Sequence, residues 1–339
     1  MKLCPLPLAL LLLLAAAPAR AENFPVELVG ALAPEKKTDG AAAVTLVGRS
    51  GQIYAPAGAG VWRRREAGGN ATDVTAAIRR PGRPAEVIAV GTGWAPPFRF
   101  AGGTWRAEAV SNRGRTVMSA TGPVPALAVG RHIYTWDKDA WIRRTAGPAK
   151  VTAVWAASGT SILVAGADGT LARFDRGRLT PVRTGLPPDD PIALLIGAAP
   201  NQVYGRTQGG AWLRIDRAGT ARVTLAQELT GFEEQAAGLG PDGALWLAGS
   251  VAADAGARRT LLARADKNRL LAADALAAPA DGDRYAVVWG TAATGELLVA
   301  TRAGVLRLRA RDGTWTEGHV SGELPSAPVR RGAGPARAR

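Results

Sequence analysis

Cysteine is all but missing from this chain. The one example, Cys4, precedes an apolar run from Leu8 to Ala17 that is followed by the small-x-small triplet Ala19-Arg20-Ala21, with Lys2 supplying a positive start. Those are the three parts of a removable export signal, so residues 1–21 are expected to be cleaved and the mature chain to begin at Glu22. Cys4 lies ahead of the apolar run and is misplaced for lipid attachment. The mature chain then has no disulfide and no thiol chemistry, although its compartment would permit both, and roughly 318 residues must cohere by core burial alone.

Histidine is nearly as scarce. His132 and His319 stand far apart, too few for a zinc cluster, and they are the only candidates for the base of a serine-hydrolase triad. No Gly-x-Ser-x-Gly is present, and Gly91-Thr92-Gly93 precedes no helix that could hold a phosphate. No metal and no cofactor are expected. After the leader no apolar run approaches the ~18 residues that a membrane helix needs. Sustained helical periodicity is absent too. The segment from Ala221 to Glu234 comes nearest and reads as a loop with at most one helical turn.

Acidic residues are in deficit. The chain has 42 Lys and Arg against 28 Asp and Glu, and losing Lys2 and Arg20 leaves 40 against 28, a net of about +12. A basic exported protein can meet an anionic polymer or surface. The positive charges are scattered, however, with no block of five or six and no interleaved aromatics, so no specific nucleic-acid site is expected.

What the chain does have is repetition. Ser161-Ile-Leu-Val-Ala-Gly166 leads through Asp168-Gly169 into Leu171-Ala-Arg-Phe174, and similar phrases run from Gln52 to Arg63, His132 to Arg143, Gln202 to Arg214 and Glu296 to Arg307. Apolar runs at 44–47, 87–90, 126–129, 151–155, 193–196, 235–239 and 285–289 read as the first strand of each repeat, and their spacing averages about 40 residues. Asp168-Gly169, Asp242-Gly243 and Asp312-Gly313 fit tight hairpins that need positive φ.

One such unit cannot bury its own apolar face, and a closed ring of them leaves no sheet edge. The expected fold is therefore all-β, a β-propeller of seven blades, with six or eight as alternatives because the second repeat is interrupted by Pro96-Pro97 and the third is short. The propeller is expected over 41–324. An N-terminal segment, 22–40, pairs with the ring or lies outside it, and a disordered basic tail occupies 325–339.

Gly240-Pro-Asp-Gly-Ala-Leu-Trp-Leu-Ala-Gly249 and the stretch from Gly295 to Leu308 resemble the repeats of exported bacterial propellers of the two-component-regulator sensor type. The resemblance spans about residues 41–320 and implies the fold, with binding or sensing as the associated role. The membrane and kinase segments of such sensors are missing. Arg311-Asp-Gly-Thr-Trp315 lacks one residue of a sialidase aspartate box and reads more simply as a hairpin turn.

With each catalytic template failing, the expected function is binding of a protein or glycan partner at the cell envelope, periplasmic or secreted, by a monomer. The alternatives are a propeller enzyme (lactonase, lyase or glycosidase) with its site in the central channel, and an electrostatic binder of anionic polymer. Periodic tryptophans such as Trp62, Trp141, Trp212, Trp155 and Trp289 are expected to pack between blades. Trp94 and Trp136 fall off the repeat and are candidates for exposed contact. Turns joining second and third strands share a face with the blade crossings, which places Asp137, Asp139, Asp168, Gln208 and Arg302 on one candidate binding rim.

Overall fold

A computed structural model describes residues 26–321 apart from 35–38, 59, 66–72, 92–96, 109, 111–113, 120 and 254–256. The expected signal peptide, the basic tail and Trp94 lie outside the described residues. Among those residues the chain forms strands with two single turns of 3-10 helix, and no helix is long and apolar enough to cross a membrane.

The strands group, four at a time and in chain order, into antiparallel sheets. The first holds β1 (Leu28–Leu32), β2 (Thr45–Gly48), β3 (Ile53–Gly58) and β4 (Val61–Arg64). The second holds β5 (Val74–Arg80), β6 (Arg83–Gly91), β7 (Phe98–Ala101) and β8 (Thr104–Ala107). The third holds β9 (Thr116–Ser119), β10 (Ala126–Val129), β11 (His132–Asp137) and β12 (Ala140–Ala146). The fourth holds β13 (Val151–Ser158), β14 (Ser161–Gly166), β15 (Leu171–Asp175) and β16 (Arg178–Val182). The fifth holds β17 (Ile192–Ala199), β18 (Gln202–Thr207), β19 (Trp212–Ile215) and β20 (Thr220–Arg222). After the short β21 (Thr224–Leu225), the sixth holds β22 (Glu233–Leu239), β23 (Leu245–Ala252), β24 (Arg258–Asp266) and β25 (Arg269–Ala275). The last holds β26 (Tyr285–Thr291), β27 (Glu296–Thr301), β28 (Val305–Arg309) and β29 (Trp315–Ser321).

The first strands of these seven units touch one another in sequence, and β26 returns to β1, so the described sheets close a ring. Seven apolar clusters lie between neighbouring sheets rather than within any one of them. The seam between first and last sheets, for instance, packs Leu46, Tyr54 and Trp62 against Leu298, Leu306 and Val320. Stability therefore belongs to the interfaces, as the repeat pattern requires.

The register of the repeats differs from the sequence expectation in the first three sheets. Runs 44–47, 87–90 and 126–129 mark second strands, β2, β6 and β10, whereas the four later runs mark first strands. The reason is burial. A second strand is flanked on both sides and loses both faces to the core, as in β10, where all four residues are buried. β5 and β9 are less uniformly apolar, with Thr75, Arg79 and Arg80 in the one and Thr116 and Ser119 in the other, so no apolar run marks them. The boundary expected at 41 accordingly falls inside the first sheet, whose innermost strand is β1. The short third repeat was a step from a second strand to the next first strand.

Several outer edges are protected. β4 and β29 pair in parallel through Val61–His319, Trp62–Val320 and Arg63–Ser321, which joins the first sheet to the last. β21 covers β25, Pro181 removes a donor from β16, and a register shift in the β11–β12 pairing leaves Arg144 as an extra residue in β12.

Candidate functional site

Strand alternation creates two faces. Turns between second and third strands lie with the sheet-to-sheet connections on a crossover face, and the remaining hairpin turns lie on the opposite one. A channel of about 700 Å³ runs between them, walled by the seven innermost strands. Its wall is largely alanine, valine and leucine, because small side chains let seven strands converge. Arg115 is its one charged residue among those described, and Leu194 turns a 39% exposed side chain to solvent. No carboxylate or histidine of the described residues lines it.

The hairpin-face mouth is partly crossed. The connection after β9 reaches over the neighbouring sheet: Val124 N–H donates to the Ala156 carbonyl at 3.4 Å, and Thr121 Oγ1 accepts from Gly197 N–H at 3.2 Å, two sheets away. Gly122 permits this passage, since at φ +116° a Cβ would lie 2.9 Å from Trp155 Nε1.

The crossover rim is held rigidly. In five sheets the residue that follows the second strand donates its N–H to the carbonyl of the residue that precedes the first strand. These pairs are Arg49–Glu27, Gly130–Arg115, Ala167–Lys150, Gln208–Pro191 and Arg302–Arg284, at 2.7–3.0 Å. Glu27 also pairs with Arg49 at 2.8 Å and lies 3.6 Å from Arg302, and Asp190 accepts from Gly209 N–H at 2.7 Å.

The residues expected to share one binding rim divide between the faces. Asp168, Gln208 and Arg302 stand on the crossover face. Asp137 and Asp139 belong to the β11–β12 turn, a connection between third and fourth strands, and therefore lie on the hairpin face. This correction follows directly from the register of the third sheet. Asp137 accepts from Arg144 at 2.8 Å, and Lys138 and Asp139 adopt positive φ to make the turn. Trp136 is 7% exposed, edge-on to Trp141 with centroids 5.2 Å apart and with Arg80 above its ring, so it is core and not an exposed contact. Trp62, Trp155 and Trp212 are buried between sheets. The two histidines lie on β11 and β29. Among the described residues no group of three His, Asp or Glu could hold a metal ion.

The three Asp-Gly turns also fall on different faces. Asp168 and Asp312 each accept from the hydroxyl and N–H of the threonine two residues on, and the hydroxyl bond holds each carboxyl below its ordinary range. Gly169, Gly243 and Gly313 have φ of 79°, 72° and 92°, as the hairpins demand. Asp242 does more. It accepts from Ala244 N–H at 3.1 Å, Trp246 Nε1 at 3.3 Å and Arg264 Nε at 2.6 Å. Burial pushes its carboxyl up, but the Arg264 bond and the other donors outweigh burial and leave it low. A carboxylate so depressed stabilises the fold above its unfolded pKa, and that contribution is lost as pH falls through the folded value. Asp242→Asn should therefore flatten the decline of stability below about pH 4 in acid titrations followed by urea unfolding. An unchanged slope would contradict this role.

Sequence reading did not single out Arg115 or Thr121, which sit on the approaches to an innermost strand where no motif marks them, and it took Leu194 only as part of the apolar run 193–196. Several arginines of the sheets are engaged by neighbouring groups. Arg99 reaches Glu108 (3.5 Å), Arg173 bonds the Asp216 carbonyl (2.5 Å), and Arg309 meets Asp274 (3.0 Å).

No family model and no curated protein matches the chain. Solved structures do. YCF48 from Cyanidioschyzon merolae is similar over 86% of this chain and 95% of its own, at 13% identity and a TM-score of 0.50. The WD40 β-propeller domain of Doa1 is similar over 83% and 92%, at 13% identity and a TM-score of 0.51. The chain is a β-propeller. At that identity the likeness carries the fold of this propeller and not its ligand.

Proposed function

We propose that this propeller is an exported, non-catalytic binding protein whose crossover face docks a protein partner at the cell envelope. The observation that supports the reading is the layout of that face: polar turns locked to the connections surround an apolar mouth with Leu194 exposed. An apolar centre within a polar rim is the anatomy of a protein interface, and a rim already ordered loses little entropy on binding. The export signal read at residues 1–21 supports the location, and the sensor-type repeats support binding as the role. The anionic-polymer alternative predicts affinity falling steeply with salt, which separates it from partner docking.

A photo-crosslinking residue at Gln208, on the rim, should capture one discrete partner in cells, and at Ile142, on the outer wall, should not. Arg302→Glu should reduce the Gln208 yield several-fold. Equal capture from both positions would overturn the assignment of the face. Protease protection in intact cells, lost when the outer barrier is opened, checks the location.

A further inference from the structure

We propose that the channel itself is a binding site for a small linear amphiphile with one negative charge, its head held at Arg115 and its apolar body lying along the innermost strands. This goes beyond partner docking on the rim. A volume of about 700 Å³ is within the ~300–1,000 Å³ range of sites that enclose small molecules, and an apolar wall with few polar groups is their usual lining. The exposed Leu194 supplies apolar surface to the wall, and Val117, Leu239 and Trp289 also line it.

Charge fixes the orientation. Arg115 immediately precedes β9 and lies at the crossover end of the channel. Among the described residues it has no ion pair. The acids at or just ahead of the starts of other innermost strands are engaged elsewhere: Glu27 and Asp73 with Arg49, Asp190 with Gly209 N–H, Glu233 with Arg258, and Asp283 with Ala303 N–H. An anionic head entering from this side meets a cation that no described carboxylate pairs. The opposite mouth is crossed by the connection through Thr121 and Gly122, so entry and head group belong to the same end. The wall offers no second charge, which suits a monoanion with an uncharged body. A carboxylate on an alkyl chain is the simplest such molecule, and a phosphate monoester shares the head-group chemistry.

The test is isothermal titration of the purified full-length protein with octanoate, decanoate and decyltrimethylammonium, all below their micelle concentrations. Decanoate should saturate one site per chain. It should bind roughly fourfold tighter per methylene than octanoate, the factor expected for methylene burial, and roughly tenfold or more tighter than decyltrimethylammonium, although that cation's tail is one carbon longer. Arg115→Glu should abolish the preference for the anion, and Leu194→Asp should weaken decanoate by roughly tenfold, both with melting temperatures close to wild type. Decyl phosphate in place of decanoate identifies which head is preferred. Equal binding of anion and cation, non-saturable uptake, or an Arg115→Glu variant indistinguishable from wild type would each overturn the proposal.

Discussion

Replacing Trp62 by alanine should lower the free energy of unfolding by about 3–5 kcal/mol, the range for truncating a fully buried tryptophan. Trp62 is 1% exposed, and its Nε1 donates to the Val44 carbonyl at 2.7 Å. Its location makes the loss consequential. It lies on β4, where the first sheet is paired to the last through Val320, and in the apolar cluster that joins Leu46 and Tyr54 to Leu298 and Leu306. Every other sheet interface links units adjacent in the chain, whereas this one closes the ring, so a cavity here weakens the contact that converts a linear array into a closed one. Trp62→Phe keeps most of the buried area and loses the indole donor, for which about 1 kcal/mol is expected. Urea denaturation of the two variants separates packing from hydrogen bonding. A loss below ~1 kcal/mol for Trp62→Ala would show that the seam does not carry the ring.

The fold was legible because it depends on a pattern that any one residue can break without obscuring. Short apolar runs, Asp-Gly turns and a near-constant spacing identified stacked sheets, and closure followed from the edges such sheets would leave. Strand rank was less legible. A run such as Ala126–Val129 signals burial on both faces, and β10 and β13 share that signal although one is second and the other first in its sheet. That ambiguity propagated into the site. Once β11 is a third strand, Asp137 and Asp139 move to the hairpin face and Trp136 turns into the core, while Asp168, Gln208 and Arg302, whose sheets were ranked correctly, stay on the crossover face. The channel was illegible for a further reason. Its wall is made of one short strand from each sheet, and the contact that narrows it joins Thr121 to Gly197 across two sheet boundaries. Nothing local in sequence records such a meeting.

The same limit hides Glu234, whose replacement by alanine should cost about 2–3 kcal/mol. Glu234 is the second residue of β22 in the sixth sheet, yet both its partners belong to the fifth: Trp212 Nε1 on β19 donates to it at 2.7 Å, and Arg206 Nε on β18 pairs with it at 3.0 Å. The carboxylate is only 17% exposed and Trp212 is 4% exposed. Alanine would leave a buried indole N–H without an acceptor and a guanidinium without its counter-charge, and stranded donors cost more than a lost bond. Arg206 is about one-third exposed and can turn to water, which holds the expected loss below the full penalty for breaking a buried pair. Glu234→Gln keeps an acceptor for Trp212 and removes only the charge, so it should lose about 1 kcal/mol. The discriminating measurement is a double-mutant cycle with Arg206→Met. If the carboxylate ties the two sheets through both partners, Glu234→Ala and Arg206→Met will be non-additive by at least ~0.5 kcal/mol. Strict additivity, with the alanine and glutamine variants equally stable, would mean that apolar packing alone joins these sheets.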